Sequence, residues 1–288
     1  MKKILKSNIS IVCAICLIVT MVSGFAYAEV SNTGSDETAY STVPMYMNGI
    51  RMTDGIKIED TTYVALRAFF NVLENQTDIA WNGDTNTVTV KGDGLELTAA
   101  VGTNYMTVNG RCFYVRSGVR VVNSTLVLPV RELAKIYQAT VEWDSESSSV
   151  SICADNPVLL ESGEAYYNEQ DLYWLSRLIN AESGNQPLDG KIAVGNVVLN
   201  RVANPTCPNT IYDVIFDSKY GVQFSVTQNG AIYDEPNEES VLAAKICLEG
   251  YNLVGDSIYF VNPQVGVSSW FAKTRVYVAT IGQHDFYA

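Results

Sequence analysis

Residues 172–201 read LYWLSRLINAESGNQPLDGKIAVGNVVLNR, and this stretch decides the fold of the carboxy-terminal half. Its first apolar positions recur at helical spacing and are Leu172, Leu175, Leu178 and Ile179. That spacing predicts an amphipathic helix. At about 100° per residue, Glu182 lies roughly 20° from Leu175 and 40° from Leu178 around the helix axis. The pattern therefore predicts a carboxylate on the buried stripe, on the last turn of a helix that stops at Gly184.

The position of Glu182 has a chemical consequence. Apolar surroundings disfavour the charged form of a carboxyl group, so we expect its pKa to be raised. A carboxylic acid that stays protonated near neutral pH can donate a proton to a leaving oxygen. An equally open alternative is a structural glutamate that pairs with an arginine or caps a loop, because structural ion pairs also bury carboxylates.

The first 28 residues predict a secretory signal peptide rather than part of the fold. Three lysines within the first six residues precede a mostly apolar run over 9–25, and Ala26-Tyr27-Ala28 offers a cleavage site before Glu29. The alternative is an uncleaved membrane anchor. Beyond this segment, no run approaches the ~18 apolar residues of a membrane span, so we expect no stable span after cleavage.

The charge of the mature chain limits its partners. Cleavage removes three of the 19 basic residues and none of the 31 acidic ones, which leaves 16 basic residues and a net charge of −15. Such a surface disfavours nucleic acid and anionic membranes. Contact with an anionic cell wall would have to be specific.

Four cysteines remain after cleavage, at positions 112, 153, 207 and 247. Four cysteines allow three pairings, which sequence cannot distinguish. We expect a bridge between Cys112 and Cys153 first, because both lie in strand-like segments of the same half, with free thiols as the alternative. No spacing is typical of a metal site, and His284 is the only histidine. We therefore predict no metal and no cofactor.

The amino-terminal half contains an internal repeat. One copy spans 62–90 and the other 126–152, so that Arg67 matches Arg131 and Trp81 matches Trp143. Each copy predicts a strand, a short helix after the arginine and a hairpin. A unit of about 30 residues buries little core alone, so we expect the copies to pack together.

This half, residues 43–155, resembles the stalk-type domain named for the amino-terminal region of copper amine oxidases. The matching signature is the strand that ends in Ala65-Leu66-Arg67 or Pro129-Val130-Arg131, followed by the helix and the tryptophan hairpin. The resemblance implies a small β-rich α+β spacer or attachment module, with a wall or protein partner and without copper. We interpret the repeated arginines and tryptophans as packing residues.

Residues 156–167 predict a linker, and the domain after it, 168–288, predicts helices followed by strands. Asn168 is a suitable N-cap for the first helix. Further predicted helices cover 188–202, 210–216 and 238–248, and predicted strands cover 257–261 and 276–287, the second broken at Gly282.

Four motifs in this domain resemble the SleB-type cell wall hydrolase family, which includes spore cortex-lytic enzymes. They are INAESGNQPLDGKIAVGNVVLNRV, GVQFSV, IYFVNP and TIGQHDFY. The resemblance implies a lysozyme-like or lytic-transglycosylase-like α+β fold that acts on peptidoglycan glycan strands. It also implies a secreted or wall location in a Gram-positive bacterium, with a spore former as one candidate source.

By the same resemblance, Glu182 is the catalytic acid. The implied substrate-binding residues are Gln223, Ser225, Tyr259, Asn262 and His284, each with fold support as the alternative role. Asn200 and Arg201 fall on an LNR motif, and we interpret both as structural.

The matched motifs supply one carboxylate, whereas ordinary glycosidases use two. A lytic transglycosylase needs one, because the 6-hydroxyl of muramic acid attacks its own anomeric carbon. Hydrolysis with Asp189, Asp234 or Glu235 as a second carboxylate is one alternative, and a non-catalytic wall-binding protein is another. An amidase that uses zinc fits poorly, since the ligands are absent.

Overall fold

The computed structural model describes residues 40–73, 76–265 and 269–288. The predicted signal peptide lies outside these ranges. The described chain is α+β, with a β-rich part that precedes a mainly helical part. Within the described ranges, no helix has the length and apolar character needed to cross a membrane.

The β-rich part is built from three sheets and two short helices. Its strands are β1 (Ser41–Val43), β2 (Met45–Met47), β3 (Ile50–Arg51), β4 (Gly55–Ile58), β5 (Thr61–Ala65), β6 (Asp78–Asn82), β7 (Thr87–Gly92), β8 (Leu95–Ala100), β9 (Tyr105–Val108), β10 (Arg111–Tyr114), β11 (Arg120–Val122), β12 (Thr125–Pro129), β13 (Thr140–Asp144) and β14 (Ser149–Cys153). Its helices are α1 (Leu66–Val72) and α2 (Val130–Lys135). The sheet orders are β1-β4-β5-β12-β11, β10-β9-β8-β7-β6 and β13-β14-β2-β3.

The two sequence repeats fold alike, as β5-α1-β6-β7 and β12-α2-β13-β14. They pack together through β5 and β12, which pair antiparallel with Val64 opposite Leu128, both fully buried. Each hairpin turns on an equivalent side chain, because Asn82 and Asp144 accept hydrogen bonds from backbone N–H groups two and three residues on. The predicted repeat architecture is therefore confirmed.

The interpretation of the repeated tryptophans as packing residues is wrong. Trp81 is 51% exposed and Trp143 is 54% exposed. The reason is topological, since β6 and β13 are edge strands of their sheets and the side chains lie on exposed positions there. Arg67 and Arg131 are exposed as well, although Arg131 Nη1 donates to the Val141 carbonyl at 3.0 Å.

The carboxy-terminal part has three principal helices and a small sheet. Its helices are α3 (Gly163–Tyr166), α4 (Glu169–Ser183), α5 (Leu188–Ala203), α6 (Ile211–Ile215), α7 (Val226–Asn229), α8 (Glu238–Leu248) and α9 (Ser269–Thr274), with a 3₁₀ turn at Ala231–Tyr233. Its strands are β15 (Tyr259–Val261), β16 (Tyr277–Ile281) and β17 (His284–Tyr287), and β17 is central. These elements agree with the predicted order, and β16 and β17 form a hairpin that turns at Gly282.

Helices α4, α5 and α8 pack against one another around a buried apolar cluster. The approach is close at Gly195, where an added Cβ would lie 2.7 Å from Cys247 Sγ and 2.8 Å from Ile179 Cδ1. A side chain there would push α5 away from both neighbours. The small residue thus permits the contact that holds α4 in place.

The two parts share buried side chains. Cys112 and Tyr114 of β10 belong to the same apolar cluster as α4 and α8. The Tyr114 hydroxyl donates to Asp189 Oδ1 at 2.7 Å, and its ring stacks on Tyr251 with centroids 4.2 Å apart. The segment 156–167 joins this contact, since the Tyr167 hydroxyl accepts from the backbone N–H of Cys112 at 3.1 Å. The β-rich module is therefore docked on the helical domain.

The first expectation for the cysteines is wrong. Cys112, Cys153, Cys207 and Cys247 are all free. Cys112 lies on β10 and faces the shared core, whereas Cys153 ends β14 in another sheet and is exposed. Their positions in different sheets keep the two thiols from pairing.

Candidate active site

Glu182 is the penultimate residue of α4. The helix begins where predicted, because the Asn168 side chain accepts from the backbone N–H groups of Gln170 and Asp171 at 2.9 and 3.1 Å. Leu175, Leu178 and Ile179 are fully buried. Glu182 follows them on the same face and is half-buried.

The surroundings of Glu182 raise the pKa of its carboxyl group above the ordinary value, because burial penalises the charged form. Among the described residues, no hydrogen bond or ion pair reaches its side chain. Two buried arginines of the same domain have other partners: Arg177 Nη2 pairs with Glu235 Oε2 at 2.5 Å, and Arg201 Nε donates to the Ile258 carbonyl at 2.8 Å. The alternative of a structural ion pair for Glu182 is thus not realised in this part of the chain.

The end of α4 is held by polar contacts on both sides of Glu182. Asn180 Oδ1 accepts from the backbone N–H of Asn237 at 3.1 Å, and Asn237 Nδ2 donates to the Gly184 carbonyl at 3.3 Å. Asn237 is also the N-cap of α8, where its Oδ1 accepts a hydrogen bond from the backbone N–H of Ser240 at 2.8 Å. The start of α8 therefore fixes the turn that carries Glu182.

Gln186 ties the same turn to the β16–β17 hairpin. Its buried side chain accepts from the backbone N–H of Gln283 at 2.9 Å, and its carbonyl accepts from the buried Lys191 Nζ at 2.9 Å. An added Cβ at Gly282 would lie 2.5 Å from Gln186 Oε1. Sequence reasoning missed Gln186, and the glycine at the hairpin turn was the one local sign of a close approach.

Two predicted substrate-binding residues share a cavity of about 730 Å³. Gln223 and Tyr259 line it together with Arg201. Gln223 Nε2 donates to the Gly221 carbonyl at 2.9 Å, so the side chain shapes its own loop. Tyr259 lies between two cations, with its ring centroid 4.7 Å from the Arg275 guanidinium and 5.8 Å from that of Arg201. The lining of this cavity does not include Glu182.

The other three predicted substrate-binding residues lie outside that cavity. Ser225 is exposed at the start of α7, and its side chain makes no capping hydrogen bond to that helix. Asn262 is half-buried at the end of β15 and accepts from the N–H of Gln264 at 2.9 Å. Their roles in substrate binding stay predictions.

His284 is buried on β17 between the rings of Phe260 and Phe286, with centroids at 5.2 and 6.4 Å. Its Nδ1 has no hydrogen-bond partner in the described structure. Burial lowers the pKa of the imidazole, which favours the neutral ring. The structure thus gives His284 a core environment and one unused polar atom.

The candidate second carboxylates differ in availability. Asp189 accepts from the Tyr114 hydroxyl at 2.7 Å, and Glu235 pairs with Arg177. Asp234 is exposed after the 3₁₀ turn. Asp189 and Glu235 therefore each have a partner, although the Glu235 side chain is 84% exposed.

Asn200 and Arg201 hold the loop before β15. Asn200 Nδ2 donates to the carbonyls of Gly255 and Ser257 at 2.7 and 2.8 Å. Together with the bond from Arg201 to Ile258, these contacts set the position of the strand that carries Tyr259. They agree with the structural role expected for both residues.

An aromatic cluster on the outer face of α4 was not predicted. Trp174 contacts four rings edge-on, with centroids 4.9 to 6.2 Å away, and they are Tyr173, Tyr212, Phe216 and Tyr233. Tyr233 is 60% exposed and Tyr212 is 48% exposed. Tyr173 and Trp174 are adjacent in sequence but the other three residues lie 38 or more positions away, so no local pattern indicates that the five rings meet.

No group of three or more histidine, cysteine, aspartate or glutamate side chains could hold a metal ion within the ranges that the structure describes. Glu182 is thus a half-buried carboxyl group on a turn that hydrogen bonds of Asn180, Asn237 and Gln186 hold in place.

Comparison with known proteins identifies two regions. Residues 185–287 match the family described as Cell Wall Hydrolase, and residues 47–152 match the copper amine oxidase N-terminal domain. The first match begins just after Glu182. Both resemblances recognised in the sequence are thereby confirmed.

Three relatives illustrate the carboxy-terminal similarity. A spore cortex-lytic enzyme of Bacillus cereus is 33% identical over 120 residues, which cover 42% of this chain and 45% of that protein. The cell wall hydrolase CwlJ of Oceanobacillus iheyensis is 28% identical, over 42% of this chain and 89% of that protein. The solved catalytic domain of SleB from Bacillus anthracis, described as a germination-specific lytic transglycosylase, is 32% identical over 45% of this chain and all of that domain, with a TM-score of 0.39. The chain spans less than half the length of the curated spore cortex-lytic enzyme it matches.

Proposed function

Because its carboxy-terminal region belongs to the cell wall hydrolase family, we propose that this chain is an exported peptidoglycan-cleaving glycosidase with Glu182 as its acid and base. One observation carries the proposal. Glu182 is a half-buried carboxyl group without a described partner, on a turn fixed by Asn180, Asn237 and Gln186. Its pKa is raised by burial, as a general acid at a glycosidic oxygen requires.

The first step is protonation of the glycosidic oxygen between N-acetylmuramic acid and N-acetylglucosamine. Glu182 in its acid form gives the proton as the bond to the anomeric carbon breaks. The resulting carboxylate can then accept a proton from the incoming nucleophile. One residue thus serves both halves of the reaction.

We assign the nucleophile to the substrate, as in a lytic transglycosylase. The 6-hydroxyl of the muramic acid attacks its own anomeric carbon and passes its proton to Glu182. The product is a 1,6-anhydromuramic end, and no water is consumed. Proximity within one sugar replaces a second protein carboxylate, which agrees with the engagement of Asp189 and Glu235 in other contacts.

The remaining assignments rest on the family resemblance. Tyr259 and Gln223 would contact the glycan in the cavity they share, and Ser225, Asn262 and His284 would complete the cleft. The resemblance also implies a lysozyme-like arrangement of the helical domain. The curated relatives are cell wall and cortex enzymes by name, so we place this chain outside the cytoplasmic membrane.

Mass spectrometry of the fragments released from purified peptidoglycan tests the proposal. Residues 29–288 are incubated with the wall beside two variants, Glu182→Gln and Glu169→Gln. The second variant is a matched control, since Glu169 is an exposed carboxylate in the first turn of the same helix. We expect anhydromuramic ends from the parent and the control and none from Glu182→Gln.

Other outcomes distinguish the alternatives. Reducing muramic ends would indicate hydrolysis and direct attention to Asp234 as the second carboxylate. Full activity in Glu182→Gln would remove Glu182 from the mechanism. No release from either vegetative wall or spore cortex would favour a non-catalytic wall-binding protein.

A further inference from the structure

The β-rich module contains two cavities related by its internal repeat. One, of about 510 Å³, lies beside Trp81, and the other, of about 300 Å³, lies beside Trp143. Each is bounded by the hairpin and the helix of one repeat. Neither is part of the site around Glu182.

The two linings correspond position by position. Side chains at equivalent places in the two repeats occupy equivalent places in the cavities, and three such pairs are Arg67 with Arg131, Ile79 with Val141, and Val88 with Val150. The rest of each cavity wall includes a strand from the other repeat. Thr125 of β12 lines the cavity of the first repeat, and Thr61 of β5 lines the cavity of the second. This arrangement follows from the antiparallel pairing of β5 with β12. The correspondence follows from the shared fold of the two repeats, so whatever one cavity binds should also suit the other.

Each cavity presents an indole to solvent. Trp81 and Trp143 are about half exposed, on edge strands where a charged or small side chain would be the ordinary choice. Packing does not account for them, because the buried hydrophobic core of the module includes neither residue. Large exposed aromatic surface beside a cavity marks a binding site.

The charged groups that line the second cavity balance one another, whereas the lining of the first cavity carries one cation and no acidic residue. Arg131 and Lys57 in the second cavity are balanced by Asp60 and Glu142. The first cavity combines Arg67 with the hydroxyl groups of Ser124 and Thr125. Donors and acceptors beside an aromatic face suit a sugar ring, which has a C–H face for the indole and hydroxyl or acetamido groups at its edge. A polyanion would be repelled by the strongly acidic chain.

We propose that these two cavities are equivalent binding sites for amino-sugar units of a glycan strand, with Trp81 and Trp143 as the stacking platforms. The identification of that strand as peptidoglycan rests on the proposed function. Because the Tyr114 and Tyr167 contacts dock the module on the helical domain, a strand held at either site stays at a fixed orientation to the domain of Glu182. Two sites on one rigid unit also bind an insoluble polymer more tightly than either site alone.

Sedimentation with purified insoluble peptidoglycan tests this proposal. All measurements use the full chain with Glu182→Gln, so that the wall is not consumed. Trp81→Ala and Trp143→Ala are made singly and together. Ile50→Ala is the matched control, since Ile50 is a 60% exposed hydrophobic residue of the same module outside both cavities.

We expect each single variant to raise the half-saturating wall concentration about tenfold, the effect of one lost stacking contact. The double variant should raise it about 100-fold, and the control should leave it unchanged. Trp81→Phe with Trp143→Phe keeps the aromatic faces and should bind within about threefold of the parent. Equal melting temperatures for parent and variants establish that folding is unaffected.

Competition identifies the ligand. Soluble N-acetylglucosamine tetramer should displace the parent from the wall, and the isolated stem peptide should not. Binding that persists in the double alanine variant overturns the proposal, and displacement by the peptide alone overturns the assignment to glycan.

This result is separable from that of the proposed function. Wall cleavage by the chain with native Glu182, combined with tryptophan-independent binding, refutes the two sites only. Tryptophan-dependent binding without cleavage refutes the catalytic proposal only.

Discussion

Arg111 of the β-rich module and Glu249 of the helical domain form a two-pronged ion pair, with Nε 2.8 Å from Oε1 and Nη2 2.6 Å from Oε2. Their side chains are 13% and 5% exposed. The Tyr167 hydroxyl also donates to Glu249 Oε1 at 2.7 Å, and the Tyr166 ring lies 3.4 Å from the Arg111 guanidinium. A buried pair that is joined by two hydrogen bonds and supported by a third from Tyr167 fixes one geometry between two surfaces.

We predict that Arg111→Ala lowers the free energy of unfolding by about 3–5 kcal/mol, because it leaves the Glu249 carboxylate buried without its cation. Lys91→Ala is the control, since the Lys91–Glu96 pair is 64% exposed on both sides and should contribute about 0–1 kcal/mol. Urea unfolding measures both. A loss below 1 kcal/mol in Arg111→Ala would show that the docking does not depend on the pair.

Tyr114→Phe is expected to cost about 1–3 kcal/mol. Burial raises the pKa of Tyr114, so the hydroxyl stays a donor to Asp189, and the variant removes that bond while the stack on Tyr251 remains. Tyr277→Phe loses a hydrogen bond on an exposed side chain and should change stability by less than about 0.5 kcal/mol. Equal effects in the two variants would contradict the role of Tyr114.

Glu182→Gln should stabilise the protein at pH 7. The carboxyl pKa is raised in the folded state, so between the unfolded value of about 4.3 and the folded value the native state binds more protons. The free energy of unfolding therefore falls as pH rises through this window, and the penalty persists above it. Glutamine has no such penalty. Urea unfolding at pH 4 and pH 7 should show the gain at pH 7 only, and a destabilised variant would reveal a partner for the carboxylate.

The rate of wall cleavage should fall as pH rises, since the acid form of Glu182 starts the reaction. The pH at which the rate falls should lie above the ordinary pKa of a glutamate side chain, because burial raises the pKa of Glu182. His284 does not mimic this falling limb: burial lowers its pKa, so the neutral ring dominates from a lower pH than usual, and a requirement for the neutral ring would make the rate rise with pH. Initial rates from pH 4 to pH 8 provide the measurement. A limb centred near 4.3 would indicate a different, exposed acid.

All four thiols of residues 29–288 should be free without reductant. Cys153 is exposed and should react with a maleimide first. Burial raises the pKa of Cys112 to about 11 and also raises that of Cys247, so both should react more than about 100-fold slower until the protein unfolds. Mass spectrometry follows the labels. A mass lower by two hydrogens, with Cys112 and Cys153 unlabelled, would show that these two residues form a disulfide.

Local patterns were sufficient for much of this molecule. The helical spacing of Leu175, Leu178 and Ile179 placed Glu182 on the buried face of α4, and Asn168 marked the start of that helix. The repeat of Arg67 with Arg131 predicted two like units that pack together, as β5 and β12 do. Such features depend on residues close in sequence, where periodicity, capping and turn chemistry act directly.

Tertiary structure alone decided the exposure and partners of these side chains. Sequence could not show that Trp81 and Trp143 lie exposed on edge strands, because strand order depends on pairings between distant segments. Nor could it show that Glu182 has no ion-pair partner among the residues that the structure describes, while Arg111 and Glu249, 138 residues apart, form a pair. Burial and charge pairing are properties of surfaces assembled from remote parts of the chain, so they exist only once the fold has formed.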